Sequence, residues 1–181
     1  MSENKQHGKT LVVVALVVIA IVGLVRHFHI KNFHVVEPGV LYTSGQPRGM
    51  DYTRLLYKYH IATFVNVRIP TEHREQNWYN EEITWVRQNG LNYIELPVPK
   101  RPNYFPDGPT QDEFLKIMGR ENKLPVLLHD SSGRKRVSML SAVWLIKAEG
   151  YSADRAVKVV EKIKEEPVTD AERKFIQGLA E

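Results

Sequence analysis

An apolar stretch, Leu124-Pro125-Val126-Leu127-Leu128, runs without a polar break into His129-Asp130-Ser131-Ser132-Gly133-Arg134-Lys135-Arg136. This junction restricts the fold more than any other part of the chain. Continuous rather than alternating apolarity suits a strand buried on both faces, which requires helices above and below a parallel or mixed sheet. The residues that follow read as a tight, glycine-containing, cationic loop that starts a helix. Such a loop gathers unpaired backbone N–H groups and a helix N-terminus around one point, which makes an anion site. Asp130 is the anomaly, a carboxylate standing where an incoming anion would sit.

The remainder of the soluble part alternates strands and helices, as that junction demands. Val40 to Thr43 reads as a short strand, closed by the turn Ser44-Gly45-Gln46-Pro47. Leu55, Leu56 and Tyr59 place a helix over 51–59, Ile61 to Val67 is a β-branched and aromatic strand, and a polar loop runs from Arg68 to Gln76. A helix over 78–89 stops at Gly90, and Tyr93 to Val98 returns as a strand. After a proline-rich, cationic loop from Pro97 to Pro109, Thr110-x-x-Glu113 reads as a capping box for a helix reaching Met118. Val137 to Glu149 is an apolar helix ended by Gly150, Ser152 caps a helix to Lys164, and Thr169-x-x-Glu172 is a second capping box. The expected fold class is α/β, a central mixed or parallel sheet flanked by helices. Trp78, Trp85 and Trp144 are expected in its core.

At 181 residues the chain has room for one ordinary domain. With 43% hydrophobic and 25% charged residues, neither wholesale disorder nor a fibrous repeat is indicated. The absence of cysteine removes disulfides, thiolate metal sites and thiol nucleophiles together. The net charge of +4 is spread along the chain, so it leans toward anionic ligands or an anionic membrane surface without marking a nucleic-acid partner.

From Leu11 to Val25 every residue is apolar or glycine, with Lys5 and Lys9 before the run and Arg26 and Lys31 after it. At about 1.5 Å per residue the run is shorter than a hydrocarbon core of roughly 30 Å. Thr10, Phe28 and Ile30, with Lys9 and Arg26 snorkelling, make up the deficit. Residues 10–30 are therefore expected to form a single-pass transmembrane helix, with a tail at 1–9, a juxtamembrane linker at 31–38 and the folded domain at 39–181. A cleaved signal peptide and a buried core helix are the rival readings, and Arg26-His27-Phe28-His29 offers no small-x-small cleavage site. Positive residues flank both ends, so charge asymmetry assigns no orientation. Gly8-Lys9-Thr10 ends like a nucleotide-binding loop, but Glu3 stands where its first glycine belongs and no strand precedes it. His27, His29 and His34 lack carboxylate or thiol company, so interfacial solvation is expected of them rather than metal binding. No metal and no cofactor are expected.

Three segments together resemble a known family. Leu41-Tyr42-Thr43-Ser44-Gly45-Gln46-Pro47, Phe64-Val65-Asn66-Val67-Arg68 and the loop His129 to Arg136 are similar, in that order, to segments of the cysteine-dependent protein tyrosine and dual-specificity phosphatases, particularly the compact bacterial type. The resemblance covers roughly residues 36–165. The signature of the family is His-Cys-x-x-Gly-x-x-Arg, usually followed by Ser or Thr. His129, Gly133 and Arg136 match it. The resemblance thus implies a supporting histidine, a loop-turning glycine, an arginine that grips phosphate bidentately, and a phosphate cradle over Ser131, Ser132, Gly133, Arg134, Lys135 and Arg136.

It also exposes three departures. Asp130 holds the nucleophile position, and Val137 replaces the hydroxyl residue that helps a thiolate leave. The place of the general acid falls near Lys100, which cannot imitate a carboxylic acid. Asp107 is the nearest candidate acid, provided its loop folds back over the site. A carboxylate at Asp130 would accept the N–H groups of the loop and pair with Arg136, so the protein's own anion would fill the cradle. Aspartyl-phosphate chemistry ordinarily brings a metal to neutralise charge, and no second carboxylate stands beside Asp130 in sequence to hold one. Ser131 and Ser132 are better read as satisfying backbone groups than as nucleophiles.

These readings converge on a membrane-anchored, phosphatase-like domain that has lost thiol catalysis and acts by binding or scaffolding. Its expected partner is a phosphoprotein or another phosphorylated ligand, and its expected location is the bacterial inner membrane; oligomeric state is left open. An active phosphomonoesterase with an atypical nucleophile and a ligand-free structural membrane protein remain as alternatives. An engineered replacement would account for Asp130 but not for Val137 and Lys100.

Overall fold

The computed structural model describes residues 11–20, 23 and 29–181. They fall into two units, one ending at Ile30 and one running from Lys31 to Glu181. In the first, residues 11–20 are helical with exposed side chains. Among the described residues no helix is long and apolar enough to cross a membrane. The expected spanning segment at 10–30 lies partly outside the described residues; the tail at 1–9, the Gly8-Lys9-Thr10 motif and His27 lie wholly outside them.

The second unit is built on five strands, β1 (His34–Glu37), β2 (Leu41–Ser44), β3 (Thr63–Asn66), β4 (Asn92–Glu95) and β5 (Val126–His129), in the order β1-β2-β5-β3-β4. All neighbours are parallel except β1, which runs antiparallel to β2. The helices are α1 (Met50–Tyr57), α2 (Asn77–Gln88), α3 (Gly108–Met118), α4 (Lys135–Lys147), α5 (Ala153–Lys164) and α6 (Asp170–Gly178). The continuous apolar stretch is the central strand, and all four residues of β5 are buried. Ser44 of β2 and Asn66 of β3 both lie level with His129. The parallel strands therefore finish together, and the loops that leave them share one edge of the sheet, where ligands of open α/β folds bind.

The expected linker at 31–38 is instead part of the folded unit. Val35 and Val36 favour extended backbone, and the turn at Glu37-Pro38-Gly39 folds the strand back onto β2, with Val40 N–H donating to Glu37 O at 3.1 Å. The expected Thr110 capping box is also corrected. Asp107 is the N-cap of α3 and accepts from Thr110 N–H at 3.0 Å, because Gly108 and Pro109 already lie in the first turn. Thr169 and Glu172 do form their capping box.

Helix α4 carries the site. Every residue from Arg136 to Ile146 is buried, as expected of a helix apolar on nearly all sides and covered by neighbours rather than facing water. Val137, Leu140, Trp144 and Leu145 pack with Leu41, Val65, Val126 and Leu128 of the sheet. Met139, Ala142 and Ile146 pack with Ala156, Val157 and Val160 of α5 and Ile176 of α6. The buried Ser141 hydroxyl is satisfied locally by donating to Val137 O at 2.8 Å. Of the three tryptophans only Trp144 is fully buried; Trp78 lies beneath the Arg68 guanidinium at 4.3 Å, and Trp85 packs on Tyr52 at 5.2 Å.

Candidate functional site

The loop from Asp130 to Arg134 joins β5 to α4, and its shape is set by Gly133. Its φ of +73° lies in the left-handed region, and a Cβ there would stand 2.2 Å from Gly45 N and 2.3 Å from Ser44 C. Glycine thus lets the loop turn sharply against the end of β2. The turn aims two backbone donors inward, and the Asp130 carboxylate takes them. Its Oδ1 accepts from Ser132 N–H at 2.8 Å and Gly133 N–H at 2.6 Å. Its Oδ2 accepts from Arg136 Nε at 3.2 Å. Asp130 is 2% exposed and Arg136 1%, so the pair is held out of water.

Arg136 is engaged on a second side. Its Nη1 donates to Glu72 Oε2 at 2.9 Å and approaches the carbonyls of Val98 and Val67 at 3.3 and 3.4 Å. Glu72 Oε1 lies 3.3 Å from Lys100 Nζ. One buried guanidinium is thus neutralised by two carboxylates, and charge-assisted hydrogen bonds of this kind are roughly twice as strong as neutral ones.

Outside this closed pair lies a cleft of about 360 Å³ lined by Lys100, Tyr104, Asp130, Ser131, Ser132, Arg134, Lys135, Arg136 and Glu166. Lys135 Nζ stands 5.4 Å from the Tyr104 ring centroid, and Arg134 pairs with Glu165 at 2.5 Å. The cleft has four cationic side chains against two carboxylates along its walls, so its chemistry suits an anion.

A buried polar layer supports the loop from behind. Glu82, fully buried on α2, accepts from Gln46 Nε2 at 2.9 Å, Tyr93 Oη at 3.1 Å and Tyr52 Oη at 3.3 Å. Burial outweighs those donors and pushes its carboxyl up to about 7. The Arg68 guanidinium donates to Gln46 Oε1 and is buried beside this layer. His129 lies in the same region. It is fully buried, but its Nε2 is 3.7 Å from Glu82 Oε1 and neither ring nitrogen has a hydrogen-bond partner among the described residues. Burial, with Arg68 and His73 nearby, holds its pKa well below the ordinary value, so the ring is neutral and the approach to Glu82 is not an ion pair.

The structure gathers Asp130, Ser131, Ser132, Arg134, Lys135 and Arg136 around one cleft, while Gly133 and His129 are buried and do not line it. Val137 is buried in the core. Asp107 is not brought in. It is exposed, is absent from the lining, and its carboxylate caps α3; the hydrogen bond from Thr110 holds it below the usual carboxylate range, which suits a cap and not a proton donor. Glu72, Tyr104 and Glu166 were not legible as site residues, since each reaches the loop from a distant part of the chain. Glu72 had one signal: it follows the Phe64 to Arg68 segment that lies beside β5.

The class defined by this mixed five-stranded sheet and its edge loop is the phosphatase-like α/β fold. Its solved neighbours include structures described as phosphatases. The core catalytic domain of the PP-IP phosphatase Siw14 from S. cerevisiae, solved with citrate, superposes with a TM-score of 0.66 at 17% identity, covering 81% of this chain and 84% of that one. PTPMT1 in complex with PI(5)P gives 0.64 at 16% identity, over 82% and 94%. A putative phosphatase from Neisseria meningitidis gives 0.62 at 20% identity, over 82% and 98%. No protein-family model matches the chain. At these identities the likeness is one of fold.

Proposed function

We propose that this chain is a membrane-anchored, phosphatase-like domain in which Asp130 stands in the place of the family's nucleophilic cysteine, and which binds a phosphorylated ligand without turning it over by thiol chemistry. The observation that carries the reading is the Asp130 carboxylate itself, which accepts the Ser132 and Gly133 N–H groups and the Arg136 guanidinium that a phosphate would need. A carboxylate already bonded to its own loop is a poor nucleophile and repels an arriving dianion. The remaining cations, Lys100 and Lys135 above all, sit outside the closed pair and offer contacts to a phosphoprotein or other phosphorylated partner. The apolar run from Leu11 to Val25 supports an anchor, and the resemblance to compact bacterial phosphatases favours the bacterial inner membrane as its location.

Vanadate binding and turnover of an aryl phosphate, measured on wild type, Asp130→Ala and Asp130→Cys, test this. Wild type should show no turnover and weak vanadate binding, with both variants binding far more tightly. Turnover by wild type that Asp130→Asn abolishes would establish an aspartyl nucleophile instead. Equal vanadate affinity in all three proteins would mean that no cradle exists. Resistance of the full chain to alkaline carbonate extraction from membranes tests the anchor.

A further inference from the structure

The two loop amides that hold Asp130 are themselves held from the opposite side. Lys31 Nζ donates to Ser131 O at 2.8 Å, and Asn32 Nδ2 donates to Ser132 O at 2.7 Å. In a trans peptide the carbonyl oxygen and the following N–H point in opposite directions across a rigid plane. Ser131 O and Ser132 N–H belong to one such plane, and Ser132 O and Gly133 N–H to the next. Fixing those two oxygens outward therefore fixes inward the two N–H groups that bind the Asp130 carboxylate.

The segment bearing Lys31 and Asn32 is itself tied down. Gly45 N–H donates to Lys31 O at 2.7 Å, and a Cβ at Gly45 would stand 2.8 Å from Lys31 Cδ and 3.2 Å from Ser132 O. Asn32 has a φ of +44°, a left-handed conformation that asparagine tolerates better than most residues. Strap, β2 turn and anion loop are thus held close together around Gly45 and Gly133.

We propose that Lys31 and Asn32 are positioning residues of the anion loop, a strap that prevents its two peptides from flipping and so preorganises the cradle for an oxyanion. The inference rests on the reading of the loop as an anion site. The strap begins where the apolar N-terminal unit ends, so the positioning element is covalently continuous with the proposed anchor.

The test uses the full chain in detergent with Lys31→Met and Asn32→Gly, alone and together. Methionine keeps the aliphatic stem and glycine keeps the positive φ, so each removes chiefly one donor. The first readout is amide hydrogen exchange at Ser132 and Gly133 with Asp130 intact. Both amides should exchange faster by about tenfold in the double variant, the worth of roughly one net hydrogen bond, while amides of β5 are unchanged. The second is vanadate affinity in the Asp130→Ala background, which should fall about five- to tenfold on the same grounds. Uniformly faster exchange, or no change at the two loop amides, overturns the strap. If Asp130→Ala binds no vanadate, the anion-site reading fails, and the exchange measurement still decides whether the strap orients the loop.

Discussion

Replacing Asp130 by alanine separates two roles of one carboxylate, structural filler and electrostatic barrier, because it damages the apo fold and opens the cradle together. The variant removes the acceptor of two loop N–H groups and one partner of a buried guanidinium. Breaking a buried pair costs about 3–5 kcal/mol. Arg136 keeps Glu72 at 2.9 Å, so the lower end applies. At about 2–4 °C per kcal/mol for a chain of this size, the melting temperature should fall by roughly 6–12 °C. The same change removes a negative charge from the phosphate position. At 4 Å and an effective dielectric near 20 that repulsion is about 4 kcal/mol per unit charge, or on the order of a thousandfold in affinity. Phosphate should then act as an external replacement for the missing carboxylate. At a hundred times its dissociation constant it returns about 2.7 kcal/mol, most of what was lost. The assay is thermal unfolding of the full chain in detergent, followed by circular dichroism, with and without phosphate. The variant should melt low and be rescued by phosphate, while wild type is unmoved. A variant that melts with wild type, or phosphate shifts equal in both proteins, would refute the self-filled cradle.

Other expectations follow from the same structure. Glu82 is raised from an ordinary 4.5 to about 7, so the folded state binds more protons than the unfolded state between those values and loses stability as pH rises through them. Urea unfolding should show wild type losing roughly 3 kcal/mol across that window relative to Glu82→Gln, at about 1.4 kcal/mol per unit; parallel pH profiles would contradict this. Gly133→Ala forces a Cβ to within 2.2 Å of Gly45 N, so it should cost more than the ~1–3 kcal/mol of a left-handed non-glycine residue and abolish vanadate binding even beside Asp130→Ala. Lys164, 1% exposed, donates to Glu172 Oε2 at 2.5 Å. Burial pushes the Glu172 carboxyl up, but its hydrogen bonds with Lys164 and Thr169 outweigh burial and leave it lowered. Lys164→Met should therefore destabilise by about 3 kcal/mol near neutral pH, less as pH falls and Glu172 protonates, and chemical unfolding at two pH values reads both.

How much of the site could be read in advance follows from how local each signal is. Leu124 to Leu128 was legible as a central strand because a run with no polar face can be buried only on both sides. Gly133 and Arg136 were legible because they match the signature of the family the chain resembles, which implies a loop-turning glycine and an arginine beside the loop. Asp107 misled because an aspartate ahead of a helix serves equally as cap or acid, and only its exposure and its bond to Thr110 choose between them. The segment at 31–38 misled for a related reason: four residues of edge strand carry too little periodicity to stand out beside an apolar run.

Local chemistry along the chain determined the α/β class, the central strand, the turn at Gly133 and the presence of an acid in an anion loop. That the acid fills the loop is already expected from the sequence; tertiary structure supplies the geometry, since the bond from Arg136 to Asp130 depends on where α4 enters the core. Tertiary structure alone decided that Glu72 shares Arg136, and that Lys31 and Asn32 brace Ser131 and Ser132 across about a hundred residues of sequence. Hydrogen bonds between distant segments leave no periodicity or spacing behind, because their geometry exists only once the sheet has brought the loops to one edge.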